Sequence, residues 1–146
     1  MIHDCSNVGI NLWNNRSVYV LNNTITRVGS GISISGSTAL YVVNNVISQM
    51  TDSSYAHLIV DGGMAANSRA QYNLFYQSGG AVRIDWSSAT HWNVATFQTQ
   101  IATAVGNKEG DPQFVNAAGN DFHLPAASPA VNAGTASGYA QQVYNE

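Results

Sequence analysis

Two short patterns alternate in strict order along residues 9–86, and a chain with that period has few folds open to it. The first is Val20-Leu21-Asn22-Asn23-Thr24-Ile25, repeated as Val42-Val43-Asn44-Asn45-Val46-Ile47 and, more loosely, as Ala70-Gln71-Tyr72-Asn73-Leu74-Phe75. Its second Asn recurs at Asn23, Asn45 and Asn73, in steps of 22 and 28 residues. The second pattern sets apolar-x-apolar after a residue that is usually small. It reads Gly9-Ile10-Asn11-Leu12, Gly31-Ile32-Ser33-Ile34, His57-Leu58-Ile59-Val60 and Ala81-Val82-Arg83-Ile84. Its first apolar residue therefore steps through Ile10, Ile32, Leu58 and Val82, at intervals of 22, 26 and 24.

Each segment holds only two or three alternations, too few for an independent hairpin and enough for one side of a solenoid coil. Alternation turns Val18, Val20, Leu40 and Val42 inward on one side. On the other it buries Ile10, Leu12, Ile32, Ile34, Val60, Val82 and Ile84. Coils stack at the inter-strand spacing of about 4.8 Å, with like residue over like. Asn23, Asn45 and Asn73 then form a column at one bend, bonding each other and the turn backbone. The expected fold is all-β, a parallel β-helix of about four coils over residues 1–86. A short helix and an irregular capping segment over residues 87–146 complete a single domain. The longer third coil places its extra residues at 51–55 and 62–66, and such insertions map to loops, often on a binding face.

Composition agrees. Hydrophobic content is 45%, but only 9% of residues are charged, so Asn, Ser, Thr, Gln and Gly supply the polar surface. That suits strands and turns better than a helical bundle. The net charge of −3 and the absence of a basic stripe argue against nucleic acid as a partner. A lone cysteine, Cys5, allows no intrachain disulfide and no cysteine-based zinc site, and His3, His91 and His123 lack metal-ligand spacing. No apolar run is long enough to span a membrane, and Met1-Ile2-His3-Asp4-Cys5 is not the start of a signal peptide. Asn15-Arg16-Ser17 and Asn22-Asn23-Thr24 fit the glycosylation triplet, which is discounted because the repeat puts Asn22 in a packed turn.

After Trp86 the repeat stops. Thr96-Phe97-Gln98-Thr99-Gln100-Ile101 reads as a short helix with Thr96 as its N-cap. The tail holds Asp111-Pro112-Gln113-Phe114-Val115, Asp121-Phe122-His123-Leu124 and Ser128-Pro129-Ala130-Val131-Asn132-Ala133-Gly134. With its coils and this tail, the chain resembles secreted bacterial right-handed β-helix proteins of the pectate-lyase-like group. Their tails run D-P-x-F-x, then D-F-x-L, then S-P-A-x-x-x-G. The resemblance implies a right-handed solenoid, an extracellular or cell-surface setting and a polysaccharide partner. As a cap, the tail is expected to lay Phe114, Val115, Phe122, Leu124 and Val131 over the exposed end of the solenoid, with Pro112, Pro125 and Pro129 stopping further pairing. Asp111 and Asp121 are then turn-formers. No helix precedes Ile10 to cover the opposite end, which predicts either missing upstream residues or a homo-oligomer joined end to end.

Stacking also predicts a candidate ligand or cation face. With Val82 placed beside Leu58, Asp61 and Asp85 lie one coil apart with Arg83 between them and His57 near, and Trp86 and Trp92 offer flat faces to sugar rings. Two carboxylates so placed suit Ca²⁺, acid–base chemistry or a solvated ion pair with Arg83. Lyases of the resembling group use a Lys or Arg base with Ca²⁺ held by clustered acids in a basic groove. Here the single lysine, Lys108, sits just before the tail and no acid cluster spans three coils, so that activity does not carry over. Three functions stay open: a non-catalytic polysaccharide-binding module, a truncated polysaccharide lyase or glycoside hydrolase, and a structural protein whose open end drives assembly. The first and third are preferred to the enzyme, because fold alone does not bring function.

Overall fold

The alternating patterns wind into a coil of three short strands per turn. A computed structural model describes residues 1–52 and 54–136. After β1 (Ile2–Cys5), the first full coil is β2 (Ile10–Trp13), β3 (Ser17–Leu21) and β4 (Thr24–Val28). The second is β5 (Ile32–Ser35), β6 (Ala39–Val43) and β7 (Val46–Met50). The third is β8 (Leu58–Val60), β9 (Arg69–Gln71) and β10 (Leu74–Tyr76), with a 3₁₀ turn over Gly62–Asn67 between β8 and β9. The fourth holds β11 (Ile84–Trp86), β12 (Ala89–His91), helix α1 (Val94–Gln100) and β13 (Lys108–Glu109). The result is a β-solenoid of about four turns with one short helix, as the repeat predicts.

Stacked coils make three faces. Strands β1, β4, β7, β10 and β13 form face A, β2, β5, β8 and β11 form face B with β12 antiparallel at its edge, and β3, β6 and β9 form face C. The apolar side chains of the repeat meet inside: Ile10, Ile32, Leu58 and Ile84 form one column, and Leu12, Ile34 and Val60 another, which Trp86 extends against expectation. Ile25, Ile47 and Phe75 oppose them from face A, each fully buried. Each such side chain contributes about 1.5–3 kcal/mol through apolar burial.

The turn from face C to face A is sharp. Asn22, Asn44 and Tyr72 all take the left-handed backbone conformation there, with φ of 57°, 58° and 54°. Asn tolerates this at low cost. The next residue in each coil builds the predicted column. The Asn45 side-chain oxygen accepts from the backbone N–H of Asn23 (2.9 Å) and from its amide (3.2 Å), and Asn73 treats Asn45 alike, at 2.9 and 3.0 Å. The column has a fourth rung that the sequence pattern does not show. Asn107 accepts from the Asn73 backbone and amide, both at 3.0 Å, and its own N–H is capped by the Gln98 side chain of α1 at 2.7 Å.

Three expectations are corrected. Ile84, not Val82, pairs with Leu58, so the fourth copy is shifted by two residues. Val82, Ile84 and Trp86 all alternate inward, and the core takes Trp86 as the rung above Val60. The N-cap of α1 is Asn93, whose side-chain oxygen accepts from both the Thr96 N–H and its hydroxyl at 2.7 Å; Thr96 sits one turn inside. Finally, α1 and not the tail closes the last coil, with Phe97 fully buried against Trp86 and His91 at ring distances of 5.4 and 5.3 Å.

The tail instead runs along the flank. Residues 117–122 reach β1 and β4, and the chain then returns so that Pro129 lies by Gly110 and Thr135 bonds Asn44. Only Phe122 of the five expected capping side chains is buried; Val115 and Leu124 are 59% and 37% exposed. Asp111 and Asp121 do form turns, each accepting the N–H two residues on.

Replacing Asn45 by Ala strips partners from Asn23, Asn73 and the Val20 and Val43 carbonyls, all at a buried corner. We expect a loss of about 2–4 kcal/mol in urea unfolding. Asn23→Ala, at the half-buried end of the column, should cost less; equal losses would contradict a burial-weighted ladder.

Candidate functional site

The five residues predicted to share a face divide between core and surface. His57 is 1% exposed, and its ring nitrogens meet the Tyr76 carbonyl (3.0 Å) and the Arg83 N–H (3.3 Å) while the ring packs edge-on to Phe75. Burial pushes its imidazole down to about 4, against the hydrogen bonds to Tyr76 and Arg83. Trp86 is 1% exposed and belongs to the core, so it offers no sugar-binding face. The two-residue shift also separates the carboxylates: Asp85 lies beside Ile59, and Asp61 follows β8 on the exposed surface.

Arg83 and Asp85 remain together outside. Their two-pronged ion pair spans 2.9 and 3.2 Å, Thr90 donates to the same carboxylate, and Arg83 also donates to the Ser54 carbonyl and lies over Trp92. With those partners the pair is a surface brace between loops. Beside it, Tyr55 and Trp92, both exposed, border a shallow groove of about 260 Å³. The two insertions of the third coil lie at opposite ends of β8, so they do not build one wall together.

A larger cleft of about 910 Å³ lies elsewhere, between the outer side of face A and the returning tail. Its floor is closed by the Thr26 and Ser48 side chains, both buried, whose hydroxyls bond each other at 2.9 Å on adjacent strands, and the exposed Ser6 and Thr51 stand at its edge. Tyr76 continues the same row on β10, next to Ser48. The far wall is Asp111, Pro112, Gln113 and Phe114 of the tail.

One arginine holds that wall in place. Arg27 grips the Asp4 carboxylate through Nε (2.7 Å) and a terminal nitrogen (2.6 Å). It also donates to the Ala117 carbonyl and the Asn120 side chain, and lies 5.0 Å above the Phe122 ring. His3 joins from β1, bonding Asp4 at 2.8 Å and packing on Phe122 at 4.9 Å. The Arg27 and then the His3 hydrogen bonds hold the Asp4 carboxyl below its ordinary range. No repeat or local motif marks this cleft, since its walls come from β1, β4, β7, β10 and the tail. The one readable sign is an arginine, Arg27, at the end of a strand where the next coil has Gln49.

Among the described residues no group of three or more His, Cys, Asp or Glu is arranged to hold a metal, and no helix is long and apolar enough to cross a membrane. Residues 1–97 match the family described as the right-handed beta helix region, and the chain belongs to that family. The matched segment spans the coils as far as half of α1; β13 and the tail lie beyond it. Neither a curated protein nor a solved structure matches the chain.

Two outcomes follow. Arg27→Gln should free the tail, raising hydrogen exchange at the Val115, Asn116 and Gly119 amides while Asn45 and Asn73 stay protected; unchanged exchange in the tail would remove Arg27 as the latch. For His57, the folded value lies below the unfolded one. Its stability contribution is complete above pH 6.5 and is lost as the pH falls toward about 4. That span corresponds to ~3 kcal/mol. Urea unfolding of wild type and His57→Gln between pH 7 and pH 4 checks it, the wild type showing the steeper decline; parallel curves would refute the buried-imidazole account.

Proposed function

We propose that this is a β-helix module that binds a glycan chain, and that it does so in the cleft between face A and the tail. The observation that supports this reading is the cleft's composition. Neutral hydroxyls and amides (Ser6, Thr51, Gln49, Gln113) are combined with the rings of Tyr76 and Phe114 in one concave surface of about 910 Å³. Sugars present hydroxyl edges and apolar ring faces, and a site of this make-up complements both. Parallel strands add a second fit. They set side chains in even rows along the coil axis, a regular surface for a repeating polymer.

The role proposed is binding without turnover. Asp4 is held in a two-pronged pair with Arg27, and the Asp61–Asp85 pairing expected for acid–base work is not formed. Ca²⁺ has no place in this reading.

The experiment is titration calorimetry of the purified chain against a panel of oligosaccharides, with products followed by reducing-end assay and ultraviolet absorbance. We expect binding without product, weakened about ten-fold by Gln113→Met, which removes an exposed wall amide at similar length. Product release would replace the binding role by a hydrolase or lyase, and failure of every oligosaccharide to bind would end the glycan reading.

A further inference from the structure

We infer that the cleft selects neutral oligosaccharides, chains of hydroxyl- and N-acetyl-bearing sugars, over chains of uronic acids. The inference rests on the glycan reading above and adds to it the charge class of the ligand.

Recognition of a carboxylated chain needs cations with free donors aimed at each acid group. Three charged side chains line the cleft: Arg27, Asp4 and Asp111. Arg27 is already committed. Its charge is matched by Asp4 through two nitrogens, further donors go to Ala117 and Asn120, and its flat face is taken by Phe122. Lys108, the one lysine in the chain, does not line the cleft, and its ammonium reaches the Pro129 carbonyl.

What remains is negative. One Asp111 oxygen accepts from the Gln113 N–H at 2.8 Å, which orients the exposed carboxylate on the cleft wall. No cation is paired with it among the described ion pairs. A carboxylate in that position accepts two hydroxyl hydrogens from neighbouring carbons of a sugar and repels a uronate. The exposed Ser6 and Thr51 hydroxyls can accept or donate, and the Gln113 amide and the Gln49 amide nitrogen suit hydroxyl and N-acetyl groups, the Gln49 oxygen being held by the Ser78 N–H. Every uncommitted group in the cleft therefore favours a neutral partner. This separates the site from the acidic-polysaccharide chemistry that the sequence resemblance suggests.

The test uses matched ligands and the whole chain. Galacturonan and glucuronan oligosaccharides are titrated beside the same chains after carboxyl reduction, which turns each acid into an alcohol and keeps the linkage; cello-, xylo- and chito-oligosaccharides complete the panel. We expect a neutral chain to bind, and each carboxyl-reduced chain to bind at least about ten-fold more tightly than its acidic parent wherever either binds. In Asp111→Asn, which keeps the oxygen that holds the turn, neutral binding should weaken and the discrimination against acid chains should shrink, with the thermal unfolding midpoint checked in parallel. Tighter binding of the acidic parents, or discrimination unchanged in Asp111→Asn, would overturn the inference while leaving the glycan reading standing. Binding of no chain at all would sink both.

Discussion

Each coil must turn from face C into face A within about two residues, at a corner whose backbone groups are closed off from water. Unpaired, each buried N–H there costs about 1–3 kcal/mol. The column Asn23, Asn45, Asn73 and Asn107 meets that demand, since the side-chain oxygens of Asn45, Asn73 and Asn107 each take the N–H of the coil before and all four amides return a bond to a backbone carbonyl. The register of the inner faces depends on this corner. With the column in place, Ile25, Ile47 and Phe75 lie two residues beyond Asn23, Asn45 and Asn73 and fall into line. Gln98 ends the column from α1, so the same side-chain chemistry that repeats the coil also joins it to its closing helix.

The architecture was readable because its signal is local and repeated. Gly31 illustrates this: a Cβ there would clash with the His57 carbonyl, so the small residue before Ile32 reports a close approach between coils. The pattern is ambiguous where two arrangements satisfy it. Val82, Ile84 and Trp86 alternate alike, and only the core volume above Val60 decides that Trp86 is a rung. That choice moves Asp85 away from Asp61 and dissolves the expected acid pair. His57 had the spacing of an outward residue but turns inward to Phe75 and the Tyr76 carbonyl. Asn107 carries no repeat signal, because its step from Asn73 is 34 residues and includes a helix, and Gly106 stands where the earlier coils have Asn22 and Asn44.

The tail was legible as a motif and not as a location. Its turns at Asp111 and Asp121 follow from local side-chain-to-backbone bonds, which a sequence shows directly. Where the tail packs is decided by Arg27, Asp4 and Phe122, three residues whose pairing spans about ninety positions and leaves no periodic trace. The cleft is a by-product of that docking, so its lining could be seen only once the tail was placed. The family match, which ends at residue 97, likewise describes the coils and is silent on the wall that makes the cleft.

A solenoid without such a tail is a one-dimensional stack, in which each coil leans only on its neighbours and the ends fray independently. Here residues 110–135 touch the fourth coil at Lys108, the second at Asn44, and the first strands at His3 and Arg27. The stack is thereby closed into a ring of contacts. Peeling β1 away also releases the tail, and releasing the tail exposes the outer side of face A. Order at β1 is therefore coupled to order in the tail, which opens ahead of the coils that it braces.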